Sequence, residues 1–459
     1  MAQLPVVVIG AGPVGLAAAA RLLERGLEPL VLEAGPAAGH AVAQWAHVRM
    51  FSPWSYNIDD AARRLLEPTG WIAPKASRAP TGGELLDQYI RPLAATPELA
   101  PRIRYGARVE GVARATRDKL RDDGRDEPFV VQYRAEGKRV SVSARAVIDA
   151  SGTWFSPNPI GANGLPVDGE DTCARAIAYG IPDARGVDAP LYRGKTTLVV
   201  GSGHSAINAL LDLVALRRED PGTRIIWGIR RADARRAMGG GAADALAERG
   251  ALGTRLGAAL ASGDIELVTS FAVERLSRAG DAVAVDARTG GRPVRLSVDR
   301  IVVSTGLRPD LAPLRELRVA LDPALECTPA LAPLIDPNLH SCGTVRPHGA
   351  RVLSHPEKDF YIAGMKSYGR APTFLLATGH EQVRSIAAAL VGDMEAADRI
   401  ELNLPQTGVC STDVREKSEA ADAAASSACC GGPAPANVDA CCVADVEAKV
   451  AGKAGCGCS

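Results

Sequence analysis

Residues 5–33 read PVVVIGAGPVGLAAAARLLERGLEPLVLE, and this stretch decides the fold. Val6, Val7, Val8 and Ile9 form a short β-branched run of the kind found in buried parallel strands. The run passes into Gly10-Ala11-Gly12-Pro13-Val14-Gly15 and then into helix-forming residues, Leu16 to Leu23. A second apolar run, Leu30-Val31-Leu32, ends in Glu33. Gly10 suits the tight turn, Gly12 the close approach of a pyrophosphate, and Gly15 the packing of helix on strand. The free N–H groups and positive dipole of the helix start favour that pyrophosphate. Glu33, about 20 residues beyond the turn, is placed to accept from ribose hydroxyls. The stretch therefore predicts a dinucleotide-binding unit.

Composition narrows the possibilities. A chain of 459 residues has room for two or three domains. Lys+Arg 53 balances Asp+Glu 53, which gives no electrostatic case for nucleic acid or an anionic membrane. No run approaches the roughly 18 apolar residues of a membrane span. The apolar N-terminus lacks a basic leader, so a cytoplasmic protein is expected.

Trp45, Arg49, Met50, Phe51, Pro53 and Trp54 crowd together although aromatics make up only 4% of the chain. They read either as a loop packed on the core or as a cofactor or substrate wall, with Trp45 and Arg49 facing a planar ring. Thr81 and Glu84 have capping-box spacing and start a helix expected to reach Leu93. Strands are expected at 140–142 and 146–149. The second enters the small-residue turn Ala150-Ser151-Gly152-Thr153-Trp154, where Gly152 permits close approach to a nucleotide.

A Pro- and Gly-rich connector, 157–190, precedes a second strand–glycine–helix unit. Residues 196–200 run into Gly201-Ser202-Gly203-His204-Ser205-Ala206 and a helix over 207–216. The following strand ends in Arg230-Arg231 instead of an acid. An acid would repel a 2′-phosphate, whereas guanidiniums bind it bidentately, so Gly201, Gly203, His204, Ser205, Arg230 and Arg231 read as an NADPH site. Residues 301–310 repeat the strand-then-glycine pattern of 148–152 and are expected to return the chain to the first domain. A strand over 360–364 and a helix capped by Thr373 and ending at Leu390 complete this body. From residue 404 Ala, Ser, Gly and Cys dominate, which predicts a flexible tail.

With two glycine fingerprints about 190 residues apart and turns at 149–153 and 305–306, the chain resembles the two-dinucleotide-domain flavoproteins. That resemblance implies an α/β fold of two Rossmann-like domains: 1–160 and 301–403 for FAD, 161–300 for NADPH, and 404–459 as a Cys-rich tail. It implies that Gly10, Gly12, Gly15 and Glu33 hold FAD. Gly364 and Met365 stand where many relatives carry a Gly-Asp pair for the ribityl chain. Within the group the chain is most similar to flavin-containing monooxygenases, through the 45–54 stretch and the 80–91 helix. It lacks their Phe-Gly-His-type signature over 161–170. A disulfide or thioredoxin-type reductase would need a redox cysteine pair beside the flavin, and no Cys-x-x-Cys occurs before Ala428.

Ten cysteines remain to be placed. Cys429-Cys430, Cys441-Cys442 and Cys456-Gly457-Cys458 resemble extensions on proteins of bacterial arsenic-resistance operons. Adjacent Cα atoms lie about 3.8 Å apart, too close for a relaxed disulfide, so these thiols suit a soft centre. Zinc, copper(I), mercury, antimony and arsenic all remain chemically open, and the operon resemblance favours arsenic. A thiol-rich appendage that only scavenges metal is the plainer alternative. Cys327 and Cys342 flank a proline-rich loop and read either as free buried thiols or, if they converge, as a substrate thiol site.

The function expected is an FAD- and NADPH-dependent monooxygenase that oxidises trivalent arsenicals, with O2 as co-substrate and a homodimer as an allowed assembly. The alternatives are an NADPH-dependent reductase of a metal or disulfide through the tail cysteines, and a monooxygenase of sulfur or nitrogen compounds. A non-enzymatic metal-delivery tail is the third.

Overall fold

The computed structural model describes residues 4–402 apart from 124–125, 240–246, 339–344 and 373. Two five-stranded parallel sheets dominate it. In the first, strands Phe360–Ile362, Ala146–Asp149, Val6–Ile9, Pro29–Leu32 and Ile103–Arg104 lie side by side in that order. In the second the order is Glu266–Val268, Arg224–Gly228, Thr196–Val200, Arg300–Val303 and Ile177–Tyr179. Two three-stranded antiparallel sheets accompany them, one over residues 108–144 and one over 271–298.

The uninterrupted apolar run at 6–9 is explained by burial on both faces of its sheet, since successive side chains point to opposite sides. Val6 and Val8 join a core with Leu16 of the Pro13–Glu24 helix and with Val383 and Ile386 of the Leu376–Leu390 helix. Val7 and Ile9 face the other way, onto Val112, Phe129 and Val131 of the antiparallel sheet. The second unit repeats the arrangement. Val199 packs on Leu210 and Leu213 of the His204–Glu219 helix, while Leu198 and Val200 pack on Phe271, Leu276 and Val285. Burying each such side chain contributes roughly 1.5–3 kcal/mol.

Local signals in the sequence are realised. Thr81 caps Gly82–Leu85, and Glu84 reaches back to the Thr81 N–H at 2.8 Å. The helical run continues to Ala94 through a π-helical segment, Leu86–Ile90. One expectation is corrected. Strand Arg300–Val303 pairs with Thr196–Val200 and Ile177–Tyr179, so it closes the second sheet, and the chain re-enters the first unit only after it. Its β-branched run matches either sheet equally well, and only the long-range pairing decides. The strand expected over 360–364 spans Phe360–Ile362, and the helix ending at Leu390 begins at Leu376 with Leu375 at its N-cap, while the expected cap Thr373 lies outside the described residues.

A buried ion pair fastens the antiparallel layer to the first sheet. Arg114 Nε donates to Glu357 Oε1 at 2.8 Å, with side chains 3% and 0% exposed, and the guanidinium lies 3.7 Å from the Phe129 ring centroid. Removing one partner strands a buried charge. Arg114→Met is therefore expected to lower unfolding stability by about 3–5 kcal/mol, measured by urea titration. A loss below about 1 kcal/mol would show that the pair is not formed in solution.

Candidate functional site

Both glycine fingerprints sit at the carboxyl ends of parallel strands, each opening a helix. Gly10 adopts φ +99°, and a Cβ there would lie 2.9 Å from the Ala150 oxygen. A Cβ on Gly15 would lie 2.0 Å from the Gly10 oxygen. These two glycines are demanded by the protein's own packing. Gly12 differs: its φ of −78° suits any residue, and an added Cβ meets no atom within 4 Å. Gly203 repeats the pattern with φ −85° and open space, while Gly201 is pressed against Ser304. Neither Gly12 nor Gly203, each at a helix N-cap, offers a side-chain cap, and each leaves an open cradle where a Cβ would stand. Helix dipole and absent side chain together fit a pyrophosphate at each.

Glu33 ends its strand 9% exposed, with Oε2 accepting from Ala11 N and Oε1 from Gly35 N, both at 2.7 Å. A carboxylate offers about four acceptor sites, which leaves capacity for ribose hydroxyls. Gly152 has φ +71° and open space where a Cβ would stand. Trp45 is half-buried, covers Gly82, and lies 6.4 Å from Trp154, centroid to centroid. Arg49 turns elsewhere. Its Nη1 donates to the Ala79 oxygen at 2.7 Å, and it lies 4.0 Å from Glu84, beside the capping box.

In the second unit Arg230 and Arg231 are both exposed beyond strand Arg224–Gly228, and Arg230 also donates to the Ala162 oxygen. His204 and Ser205 are half-buried in the first helical turn. The Phe51 ring packs on His204 at 5.1 Å, bringing the aromatic loop of the first unit onto the second fingerprint.

Gly364 follows strand Phe360–Ile362 with φ +71°, its would-be Cβ 3.3 Å from Val14 of the fingerprint helix. Met365 is half-buried beside it and offers no acceptor oxygen. Sequence reasoning missed what comes next. Lys366 Nζ donates to Asp149 Oδ2 at 2.6 Å and to Ser151 Oγ at 3.1 Å, with both charged side chains 2% exposed. Nothing local in the sequence pairs residues 217 positions apart.

Cys327 is 2% exposed in the first unit's core, and burial followed by the nearby Asp322 carboxylate pushes its thiol up to about 12. A thiol in that setting stays protonated at neutral pH and is a poor nucleophile. Cys342 and the six tail cysteines, Cys429, Cys430, Cys441, Cys442, Cys456 and Cys458, lie outside the described residues. Among the described residues no group of three His, Cys, Asp or Glu could hold a metal, and no helix is long and apolar enough to cross a membrane.

The glycines separate packing from ligand contact in a testable way. Gly12→Ala and Gly203→Ala are expected to leave the melting temperature of the cofactor-free protein within about 2 °C, because each added methyl enters open space; this corresponds to less than about 0.5 kcal/mol. Each is expected to weaken dinucleotide binding at its own site at least tenfold, or about 1.4 kcal/mol, by calorimetry. Gly15→Ala is expected to destabilise the fold itself. Unchanged binding in Gly12→Ala would remove the pyrophosphate from that cradle.

The family model for pyridine nucleotide-disulphide oxidoreductases matches residues 7–333. No curated protein matches the chain. Among solved structures, a bacillithiol disulfide reductase from Bacillus cereus superposes with TM-score 0.64 at 21% identity, covering 85% of this chain and 99% of that one. A flavin monooxygenase from Stenotrophomonas maltophilia gives TM-score 0.55 at 22% identity, covering 85% and 100%. DfoA of Erwinia amylovora, a cadaverine monooxygenase solved with FAD, gives TM-score 0.57 at 14% identity, covering 90% and 98%. Reductases and monooxygenases thus share the fold alike. The chain belongs to the pyridine nucleotide-disulphide oxidoreductase family and is an enzyme of the flavin-dependent oxidoreductase class.

Proposed function

We propose that the chain is an FAD- and NADPH-dependent monooxygenase that oxidises a trivalent arsenical to the pentavalent form. The observation that carries the two-cofactor reading is the pair of open glycine cradles, joined by the Phe51–His204 contact between them. FAD belongs at the first cradle, with Gly10, Gly12 and Gly15 around its pyrophosphate and Glu33 at its ribose. NADPH belongs at the second, where Arg230 and Arg231 meet the 2′-phosphate. Bound FAD supplies the two-electron chemistry that links NADPH to O2. The overall balance is NADPH, H+, O2 and As(III) to NADP+, water and As(V)=O.

The residues bind, orient and exclude water. Val14 and Gly364 close the space over the fingerprint helix, and Trp45 with Trp154 forms an aromatic wall. The arsenical rests on the tail's paired cysteines, whose thiols suit a soft, thiophilic centre and whose spacing resembles arsenic-operon extensions. Domain limits of 1–160, about 161–303, the remainder to 403, and a tail from 404 accord with this division of labour.

A second reading is supported by the family description and by the bacillithiol disulfide reductase match: NADPH-dependent reduction of a disulfide or metal. The cysteines among the described residues, Cys173 and Cys327, are both buried, so such a reductase would draw its thiols from the rest of the chain or from its substrate.

NADPH oxidation is expected to be stimulated by methylarsenite or arsenite only in the presence of O2, with the pentavalent product formed in equal amount. Full turnover without O2 would establish the reductase instead, and no stimulation in FAD-loaded protein would sink the arsenical. Removing residues after 403 tests the tail: lost arsenical binding with unchanged NADPH turnover would make it a delivery module. Arg230→Ala/Arg231→Ala is expected to lower kcat/KM for NADPH about ten- to hundredfold while sparing NADH, since a charged hydrogen bond contributes roughly 1.5–3 kcal/mol.

A further inference from the structure

Gly364 lies against the first turn of the fingerprint helix, and its place is held by a buried side-chain network. Its N–H donates to Gln382 Oε1 at 2.8 Å. A backbone N–H only donates, so this contact fixes which way the Gln382 amide points. The Gln382 Nε2 then faces two groups, Ser367 Oγ and His348 Nε2, each at 2.9 Å. The Ser367 hydroxyl gives its own proton to the Gly364 oxygen at 2.7 Å, and so accepts from Gln382. The second amide N–H needs a lone pair on His348 Nε2. That requirement places the ring proton on Nδ1, which lies 3.1 Å from the Arg346 oxygen.

Every donor and acceptor is matched only while His348 is neutral. A proton on Nε2 sets N–H against N–H. Turning the Gln382 amide to relieve this would face its NH2 toward the Gly364 N–H. Water cannot substitute, because Gln382, Ser367 and His348 are 0%, 4% and 5% exposed.

We propose that Gln382, Ser367 and His348 form a proton-sensitive latch that positions Gly364 at the FAD site, so that acidification loosens FAD. It rests on the reading that FAD occupies the first cradle. The three are positioning residues. The groups facing His348 are consistent with this. Glu381, on the same helix as Gln382, would favour the charged ring, but its carboxylate is engaged by Arg384 at 2.7 Å. The Tyr368 ring lies 5.6 Å away, and Arg346 contributes only its carbonyl. Burial, the largest influence, lowers the His348 pKa below 6.5, ahead of the opposing Arg346 and Glu381 contributions. A depressed histidine pKa means that the latch is complete at neutral pH and loses stability as pH falls below 6.5.

The test is FAD retention by the purified full-length holoprotein between pH 5 and pH 8. Wild-type protein is expected to bind FAD at least about tenfold more weakly at pH 5 than at pH 7.5, the effect of one unit of differential protonation. His348→Gln, which keeps an acceptor but cannot titrate, is expected to flatten that profile. Gln382→Leu is expected to weaken FAD across the range. Should the variants misfold, the ring-nitrogen shifts of His348 in wild-type holoprotein decide: the Nδ1–H tautomer is expected, and an Nε2–H tautomer overturns the latch. Tight FAD binding with the same pH profile in wild type and His348→Gln also overturns it. Absence of FAD from wild-type protein at pH 7.5 would instead defeat the cofactor assignment, and the latch with it.

Discussion

The first parallel sheet is organised by a close approach of backbone upon backbone at Gly10. There the end of strand Val6–Ile9 meets the turn after Ala146–Asp149 so closely that a methyl group on Gly10 would stand 2.9 Å from the Ala150 oxygen. Gly15 then lies on the Gly10 carbonyl, which sets the angle at which the helix leaves the strand. Two neighbouring strand ends and one helix start are thereby fixed to within about an atom's radius. Glu33 reaches back to the Ala11 N–H, and Lys366 ties Asp149 and Ser151 from the other side. The open space at Gly12 is what these contacts leave between them.

The second unit solves the same problem with different side chains. Gly201 approaches Ser304, the residue that follows strand Arg300–Val303, as Gly10 approaches Ala150. Here the strand ends are joined by neutral groups: Trp227 Nε1 donates to the Gly201 oxygen, and Ser304 Oγ to the Gly180 oxygen. The first unit spends a buried ion pair where the second uses neutral hydrogen bonds. A buried pair is an expensive way to gain stability, since the desolvation of two charges must be offset. What such a pair can add is specificity of geometry, and this one ties the strand end Asp149 to Lys366, just beyond the strand ending at Ile362.

What could be read from the chain beforehand were the features whose physics is local. The glycine fingerprints, the Thr81–Glu84 box and the β-branched runs each contain their own explanation within a few residues. Features set by distant partners were not legible. The strand at 300–303 could belong to either sheet by its pattern, and its neighbours decided. Lys366 carries no motif, yet its amine is buried on Asp149. His348 and Gln382 are separated by 34 positions and carry no motif. The Nη1 of Arg49 donates to the Ala79 oxygen, a partner 30 positions away that no local pattern reveals.

A scaffold common to disulfide reductases and monooxygenases leaves the choice of reaction to the groups that line the space between the cradles. Two half-buried ring pairs are present, Trp45 with Trp154 and Phe51 with His204. Cys173 and Cys327 are buried in separate cores, so neither supplies a second thiol to the other. Thiol chemistry, where it takes part, comes from a mobile substrate or from cysteines elsewhere in the chain. Adjacent cysteines such as Cys429-Cys430 resist closing on one another, which keeps both sulfurs available to a third atom.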